Sequence, residues 1–387
     1  MSGPDAGSSP PRSKDTVLHV HSGNLYGGVE SFLRTLAREQ RGAPGPTHAF
    51  ALCFEGRMSQ ELREAGASVS VLGGARVSRP WSVWRARGAL AELLRRERYA
   101  AVVCHSPWSQ AIFGPVVRSA GLPLVFFQHD ALEGKHWLER WARVTPPDLS
   151  ISNSRFTAGT LRNVYPHIPG KVRYLPVVPP ASVSSGEERA RVRAELGTGA
   201  NDVVIIQACR MEAWKGHRLL LEALGRLRQV PGWVLWVAGG AQRPYEARYL
   251  EGLEALASEL GIRERVRFLG QRSDVPRLLR AADIHCQPNL GPEPFGIAFI
   301  EALQARLPVV TTAMGGPLEI VDSSCGVLVA PAPEPLAEAL RRLMEAPEER
   351  QRLGAAGPAR ATALCEPTVF FQGLAEDFQS LAARGHR

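Results

Sequence analysis

The sequence has no apolar run approaching the length of a membrane span, and residues 1–15, rich in Ser, Pro and Gly, carry no hydrophobic signal core. A helical membrane span is thereby excluded, and the opening stretch reads as a loose tail. Cys-x-x-Cys pairs are also lacking. The six cysteines, at 53, 104, 209, 286, 325 and 365, are scattered, mostly inside apolar strand-like runs such as Ala101-Val102-Val103-Cys104. They are expected to be reduced core residues of a cytoplasmic protein. No short-period repeat is present, which excludes a solenoid.

What is present fits a globular chain of two domains. Its 387 residues are long for one core, and 44% hydrophobic with 22% charged residues lies in the ordinary globular range. A net charge of +8 favours anionic partners such as nucleotides, phospholipid surfaces or nucleic acid. A strand-like run at 16–20 leads through the glycine-rich turn 22–28 into an amphipathic stretch at 29–40. Further strand candidates follow at 49–53, 69–72, 101–104, 124–127 and 149–152, separated by helix-length segments. Composition shifts to Pro, Ser, Gly and charge between 176 and 202. Strands then resume at 203–207, 234–238, 266–269, 284–287 and 309–312. This alternation predicts an α/β chain of two doubly wound, Rossmann-like parallel-sheet domains, 16–178 and 201–366, joined by a linker at 179–200. Open parallel sheets take ligands at the carboxyl ends of their strands, so a cleft between the two is the expected site.

Three motifs carry chemistry. In Gly291-Pro292-Glu293-Pro294-Phe295-Gly296-Ile297-Ala298-Phe299-Ile300-Glu301 the prolines hold Glu293 in an irregular loop, Gly296 permits close backbone approach, and a buried helix carries Glu301. Amides at that helix start suit a phosphate, Glu301 suits two neighbouring hydroxyls of a ribose, and Glu293 suits another polyol. Spacing alone also fits an ordinary solvated glutamate at 301. Arg210 and Lys215 follow the strand 203–207 and suit a pyrophosphate, though two surface cations would read the same way. Gly315-Gly316, after the strand 309–312, forms a second glycine turn, which by itself is ordinary turn chemistry.

Arg210 with Lys215, the 291–301 motif and Gly315-Gly316-Pro317-Leu318-Glu319-Ile320-Val321 together resemble the donor half of the family 4 retaining glycosyltransferases, which have the GT-B fold. Gly27-Gly28-Val29-Glu30 is similar to that family's amino-terminal glycine loop, so the resemblance spans nearly the whole chain. It implies a nucleoside-diphosphate sugar donor, with Arg210 and Lys215 on the diphosphate and Glu301 on the ribose. Glu293 with Pro294, Phe295, Gly296 and Ile297 would hold the transferred sugar, and Gln271 with Arg272 would border the base through backbone contacts. Gly27 and Gly28 would reach the phosphate from the first domain, and His129 would lie by the reacting sugar; the other reading of His129 is a satisfied loop histidine. A helix at 367–387 would pack back toward the first domain. Leu175-Pro176-Val177-Val178-Pro179 replaces the Asn-Gly turn frequent before the family's linker, a departure that leaves the hinge geometry open.

No Asp-x-Asp occurs, so no divalent metal is expected to anchor the diphosphate and no cofactor is implied. His19 and His21 share a strand face and are read as packing. His105 and Trp108 follow the strand 101–104 and are candidates for the acceptor side, with core packing as the alternative; Trp137 and Trp141 are weighed in the same way. Seven arginines between 76 and 98, with Trp81, Trp84 and Tyr99, fit either a peripheral contact with an anionic membrane or a solvated helix face. Two carboxylates also fit a glycosidase, but the cations argue for stabilising a departing diphosphate. The expected activity is hexosyl transfer to a hydroxyl acceptor at the inner face of a membrane or in the cytoplasm, with no nucleic-acid partner. The alternatives are a nucleotide-sugar epimerase of the same architecture and a non-catalytic nucleotide-sugar-binding protein.

Overall fold

The computed structural model describes residues 16–23, 27–179, 186–241 and 243–385. The tail 1–15, part of the first glycine turn and residues 180–185 of the expected linker lie outside the described residues. The chain divides into two compact units, Met1–Pro176 with Pro367–Arg387, and Val177–Glu366.

The first unit holds a parallel sheet of seven strands: β1 (Thr16–His21), β2 (Thr47–Leu52), β3 (Ser68–Val71), β4 (Ala101–Cys104), β5 (Leu124–Gln128), β6 (Leu149–Ser152) and β7 (Gly170–Val172), in the order β3-β2-β1-β4-β5-β6-β7. Central strands read as continuous apolar runs because helices cover both faces; all six residues of β1 are buried. Helix Gly28–Glu39 buries Phe32, Leu33, Leu36 and Ala37 on one stripe. Helix Pro107–Ser119 starts where Ser106 and Ser109 exchange capping hydrogen bonds and proline takes the first turn. Each fully buried Leu, Ile or Phe contributes about 1.5–3 kcal/mol.

The second unit holds β8 (Val203–Ala208), β9 (Trp233–Ala238), β10 (Val266–Gly270), β11 (Ile284–Gln287), β12 (Val309–Thr312) and β13 (Gly326–Val329), all parallel, in the order β10-β9-β8-β11-β12-β13. Its core joins Ile205, Leu224, Leu235, Ile284, Val310 and Leu340. Both sheets are Rossmann-like and match the expected fold class.

Two edge strands were not expected. β7 has an exposed Gly and Lys and only Val172 to pack, and β13 opens on Gly326, whose added Cβ would stand 2.2 Å from the Val309 carbonyl oxygen. The expected linker also contains a helix, Gly186–Glu195. Its charged composition hides an anchor: Arg193, 4% exposed, donates to the Ala281 carbonyl and to Asp283, and Arg189 donates to the other oxygen of Asp283 at 2.6 Å.

The last helix, Pro367–Gly385, belongs to the first unit. Arg173 donates to both carboxylate oxygens of buried Asp377, at 2.9 and 3.0 Å, and Phe370 meets Phe32 edge-on at 5.7 Å.

Candidate functional site

In the second unit the loops after β8 and β11 are stitched together by backbone. Gly216 has φ 76°, and a Cβ there would stand 1.7 Å from the Pro288 carbonyl oxygen, so only glycine lets the two loops touch. Leu290 N donates to the Trp214 carbonyl at 2.7 Å, and Gln207 Nε2 to the Lys215 carbonyl at 2.8 Å. These bonds hold Lys215 at the carboxyl end of the sheet.

Lys215 Nζ donates to Glu293 Oε2 at 2.6 Å, with the two side chains 13% and 10% exposed. Asn289 Nδ2 at 3.0 Å and Gln287 Nε2 at 3.2 Å donate to the same oxygen. The ammonium also lies 3.9 Å from the centre of the Trp214 ring, a cation–π contact. Beside it, Arg210 donates to Glu212, whose second oxygen accepts from Trp214 Nε1 at 3.0 Å. Each cation is thus neutralised by a carboxylate. An anion with several oxygens can exchange for those carboxylates.

Gly296 caps helix Ile297–Gln304 at φ 109° without a side-chain cap, and in the first turn Phe299 N donates to the Gly296 carbonyl at 3.1 Å. Glu301, half-buried, is the fifth residue of that helix. Phe295 is buried and Pro294 half-buried. The loop lies flat on the Gly315-Gly316 turn: Gly316 N donates to the Glu293 carbonyl at 2.7 Å, and Cβ atoms on the two glycines would stand 2.4 Å from Glu293 O and 2.6 Å from Phe295 O. The glycine pair serves close backbone approach.

Gln271 and Arg272 follow β10. Arg272 donates twice to Asp274, both at 2.7 Å, which occupies its guanidinium. Gln271 packs on Gly240, where a Cβ would stand 2.7 Å from its own. Burial pushes the Cys209 thiol up to about 12, so no thiolate serves this site at neutral pH. Gln207, Gln287 and Asn289 went unnoticed in the sequence; the available signal is a polar residue closing an apolar strand run.

In the first unit, Gly27 and Gly28 open helix Gly28–Glu39, again without a side-chain cap. His129 is buried just beyond β5; its Nε2 meets His105 Nδ1 at 2.9 Å and its carbonyl accepts from Asn153 Nδ2 at 3.0 Å. Burial, with His21 nearby, lowers its pKa to about 3, so the ring is neutral at pH 7. His105 is 1% exposed and uses both ring nitrogens on other histidines, leaving neither to an acceptor. Trp108 is half-buried and meets Phe113 edge-on at 6.0 Å. Among the described residues, no three His, Cys, Asp or Glu side chains converge to hold a metal ion.

Residues 26–177 match the family described as Glycosyltransferase Family 4, and residues 188–360 the family described as Glycosyl transferases group 1. The D-inositol 3-phosphate glycosyltransferase of Segniliparus rotundus is 29% identical over 295 residues, which is 71% of this chain and 65% of that protein. The enzyme of that name from Streptomyces griseus is 37% identical over 192 residues, 47% of this chain and 40% of that protein. The matches thus span less than two thirds of those relatives. Among solved structures, Anabaena Alr3699/HepE in complex with UDP and glucose superposes with a TM-score of 0.84 at 24% identity, covering 95% of this chain and all of that one. WaaG, a glycosyltransferase involved in lipopolysaccharide biosynthesis, gives 0.72 at 20% identity, covering 94% and 99%.

Proposed function

We propose, since the chain belongs to the family 4 glycosyltransferases, that it moves a hexosyl group from a nucleoside-diphosphate sugar to a hydroxyl acceptor with retention of anomeric configuration. The observation that carries this reading is the buried Lys215–Glu293 pair at 2.6 Å, beside Arg210 and an uncapped helix start at Gly296. A diphosphate displaces Glu293 from Lys215 and Glu212 from Arg210, and the Gly296 amides take further oxygens. Glu293, released from the ammonium, accepts hydrogen bonds from sugar hydroxyls, while Glu301 takes the ribose hydroxyls. The solved relative holding UDP and glucose supports a donor of this class.

In this reading the cations act in the departure of the diphosphate. Charge grows on the leaving oxygen as the glycosidic bond breaks, and fixed cations in a partly dry site oppose it without reorganising. The acceptor hydroxyl attacks the same face, giving its proton to the leaving phosphate. Lys215, Arg210 and the helix amides perform the neutralisation, so a chelator leaves the rate unchanged. His129, neutral, offers a ring nitrogen to a sugar hydroxyl. Trp81 and Trp84, 56% and 80% exposed on helix Pro80–Arg96, are the groups that would meet an anionic membrane; flotation with anionic vesicles tests this contact.

The test is incubation with UDP-, GDP- and ADP-hexoses, scored for nucleoside diphosphate release and for the anomeric configuration of any product. Lys215→Ala or Arg210→Ala lowers turnover by about 10²–10³ in a folded protein. Near-normal turnover in either variant removes the diphosphate assignment, and free nucleotide with an epimerised sugar converts the reading to an epimerase.

A further inference from the structure

Four buried histidines stand one to a strand on four adjacent strands of the first sheet. They are His48 on β2, His19 on β1, His105 just past β4 and His129 just past β5, with exposures of 2%, 1%, 1% and 6%. The register explains how they meet. His48 pairs with Val17, two residues before His19; His19 pairs with Val103, two before His105; and Cys104 pairs with Phe126, which sets His105 beside Phe127, two before His129. Residues two apart share a face, so the rings form a diagonal across one face, ending at the carboxyl end of β5.

The rings are joined in series. His48 Nδ1 meets His19 Nε2 at 2.9 Å, His19 Nδ1 meets His105 Nε2 at 2.8 Å, and His105 Nδ1 meets His129 Nε2 at 2.9 Å. His129 Nδ1 is buried without a partner. Phe32, Phe50, Phe127 and Phe371 pack on the series at ring separations of 4.6–6.1 Å. On the same face His21 Nε2 lies 2.8 Å from Glu30 Oε1, and the His21 ring stands edge-on to His105 at 6.3 Å. Burial holds all four rings neutral at pH 7.

A neutral imidazole has one N–H and one bare nitrogen. Three links among four such rings are satisfied in only two ways: every ring protonated on Nδ1, or every ring on Nε2. Any mixture leaves a link with two lone pairs or two protons. Changing between the two moves one proton across each link, adds one at one end of the series and removes one at the other. The rings therefore change together.

We propose that His48, His19 and His105 are positioning residues that fix the tautomer of His129 through this series, standing all on Nε2 so that His129 Nδ1 is a bare acceptor for a sugar hydroxyl. An unpartnered buried N–H is rarer than an unpartnered acceptor, which selects this direction. The proposal rests on the reading that places His129 beside the donor sugar, but its test needs no donor.

The test is ¹⁵N spectroscopy of the histidine rings in the free full-length protein. The expected result is four buried rings that all carry the proton on Nε2. His48→Phe removes the acceptor for His19 Nε2–H; either direction then leaves one N–H without a partner, at His19 Nε2 or at His129 Nδ1, so the bias is lost and His129, two links away, reports a mixture of both tautomers. His48→Asn, whose amide oxygen occupies the place of Nδ1, restores the original pattern. In transfer assays His48→Phe lowers kcat about twofold, the share of rings that stand in the Nδ1–H state, with donor KM unchanged, and His48→Asn recovers it. A mixed tautomer pattern in the wild type, or a His129 ring unchanged in His48→Phe, overturns the series. A uniform Nδ1–H pattern overturns its direction. Should the ring pattern hold while His129→Ala transfers normally, the donor-side reading of His129 fails and the coupling stands.

Discussion

Glu293→Gln separates the two roles given to that carboxylate. The substitution keeps the volume and one acceptor oxygen but removes the counter-charge of Lys215, whose side chain is 13% exposed. Breaking a buried ion pair costs about 3–5 kcal/mol, and the slight exposure together with the Trp214 ring face under the ammonium reduces this to about 2–3 kcal/mol in the second unit. A bound diphosphate supplies the missing charge and recovers part of that loss. With about 1–2 kcal/mol recovered, UDP binds roughly 5- to 30-fold more tightly to the variant than to the wild type. Turnover moves the other way, falling by about 10²–10³, because the carboxylate no longer meets the sugar. Calorimetry with UDP reads the first effect and a transfer or hydrolysis assay the second. Equal or weaker UDP binding in Glu293→Gln would refute the exchange of carboxylate for diphosphate at Lys215.

Acid weakens the first unit through its histidines. His48 ordinarily titrates at 6.5 and in the fold at about 3, so the unfolded chain binds its proton first; stability is full above pH 6.5 and falls as pH drops toward 3, by about 1.4 kcal/mol per pH unit for this ring. His48→Phe flattens the pH dependence of urea unfolding between pH 6.5 and 5 by that amount, and an unchanged slope would show that the ring titrates normally. Glu301→Ala weakens UDP binding by about 100-fold or more, the loss of two hydrogen bonds to a charged acceptor at about 1.5 kcal/mol or more each, with little change in turnover at saturating donor; unchanged calorimetric affinity removes its ribose role. Gly216→Ala forces a side chain into φ 76° and against Pro288; thermal unfolding should show about 3 kcal/mol lost from the second unit, and a wild-type melting temperature would contradict the close approach.

The sheet rhythm was legible because central parallel strands are buried on both faces and read as apolar runs, as 203–206 and Trp233–Ala238 do. Edge position alone does not hide a strand, since 69–72 and 266–269 were read; Gly170–Val172 and Gly326–Val329 went unseen because each is short and opens on glycine. Helix Gly186–Glu195 was hidden because its buried face is made of arginine stems and Val192 rather than a leucine stripe. In the site, the 291–301 motif was legible through its Pro and Gly spacing, whereas Gln207, Gln287 and Asn289 resemble ordinary strand ends. The histidine series escaped for another reason. His48 stands one residue before the expected strand 49–53, and neighbouring rings of the series lie up to 86 residues apart in sequence. Only sheet register brings them into line.

In the proposed reading the second unit holds a nucleoside-diphosphate sugar through Lys215 and Arg210. Calorimetric titration of the full chain with UDP-, GDP- and ADP-hexoses, repeated on Lys215→Ala, tests it most directly. At least one donor should bind the wild type with a Kd of about 100 μM or tighter, and the variant should lose about 2–3 kcal/mol of that affinity. Absence of binding by every donor, or equal binding by Lys215→Ala, would contradict the account.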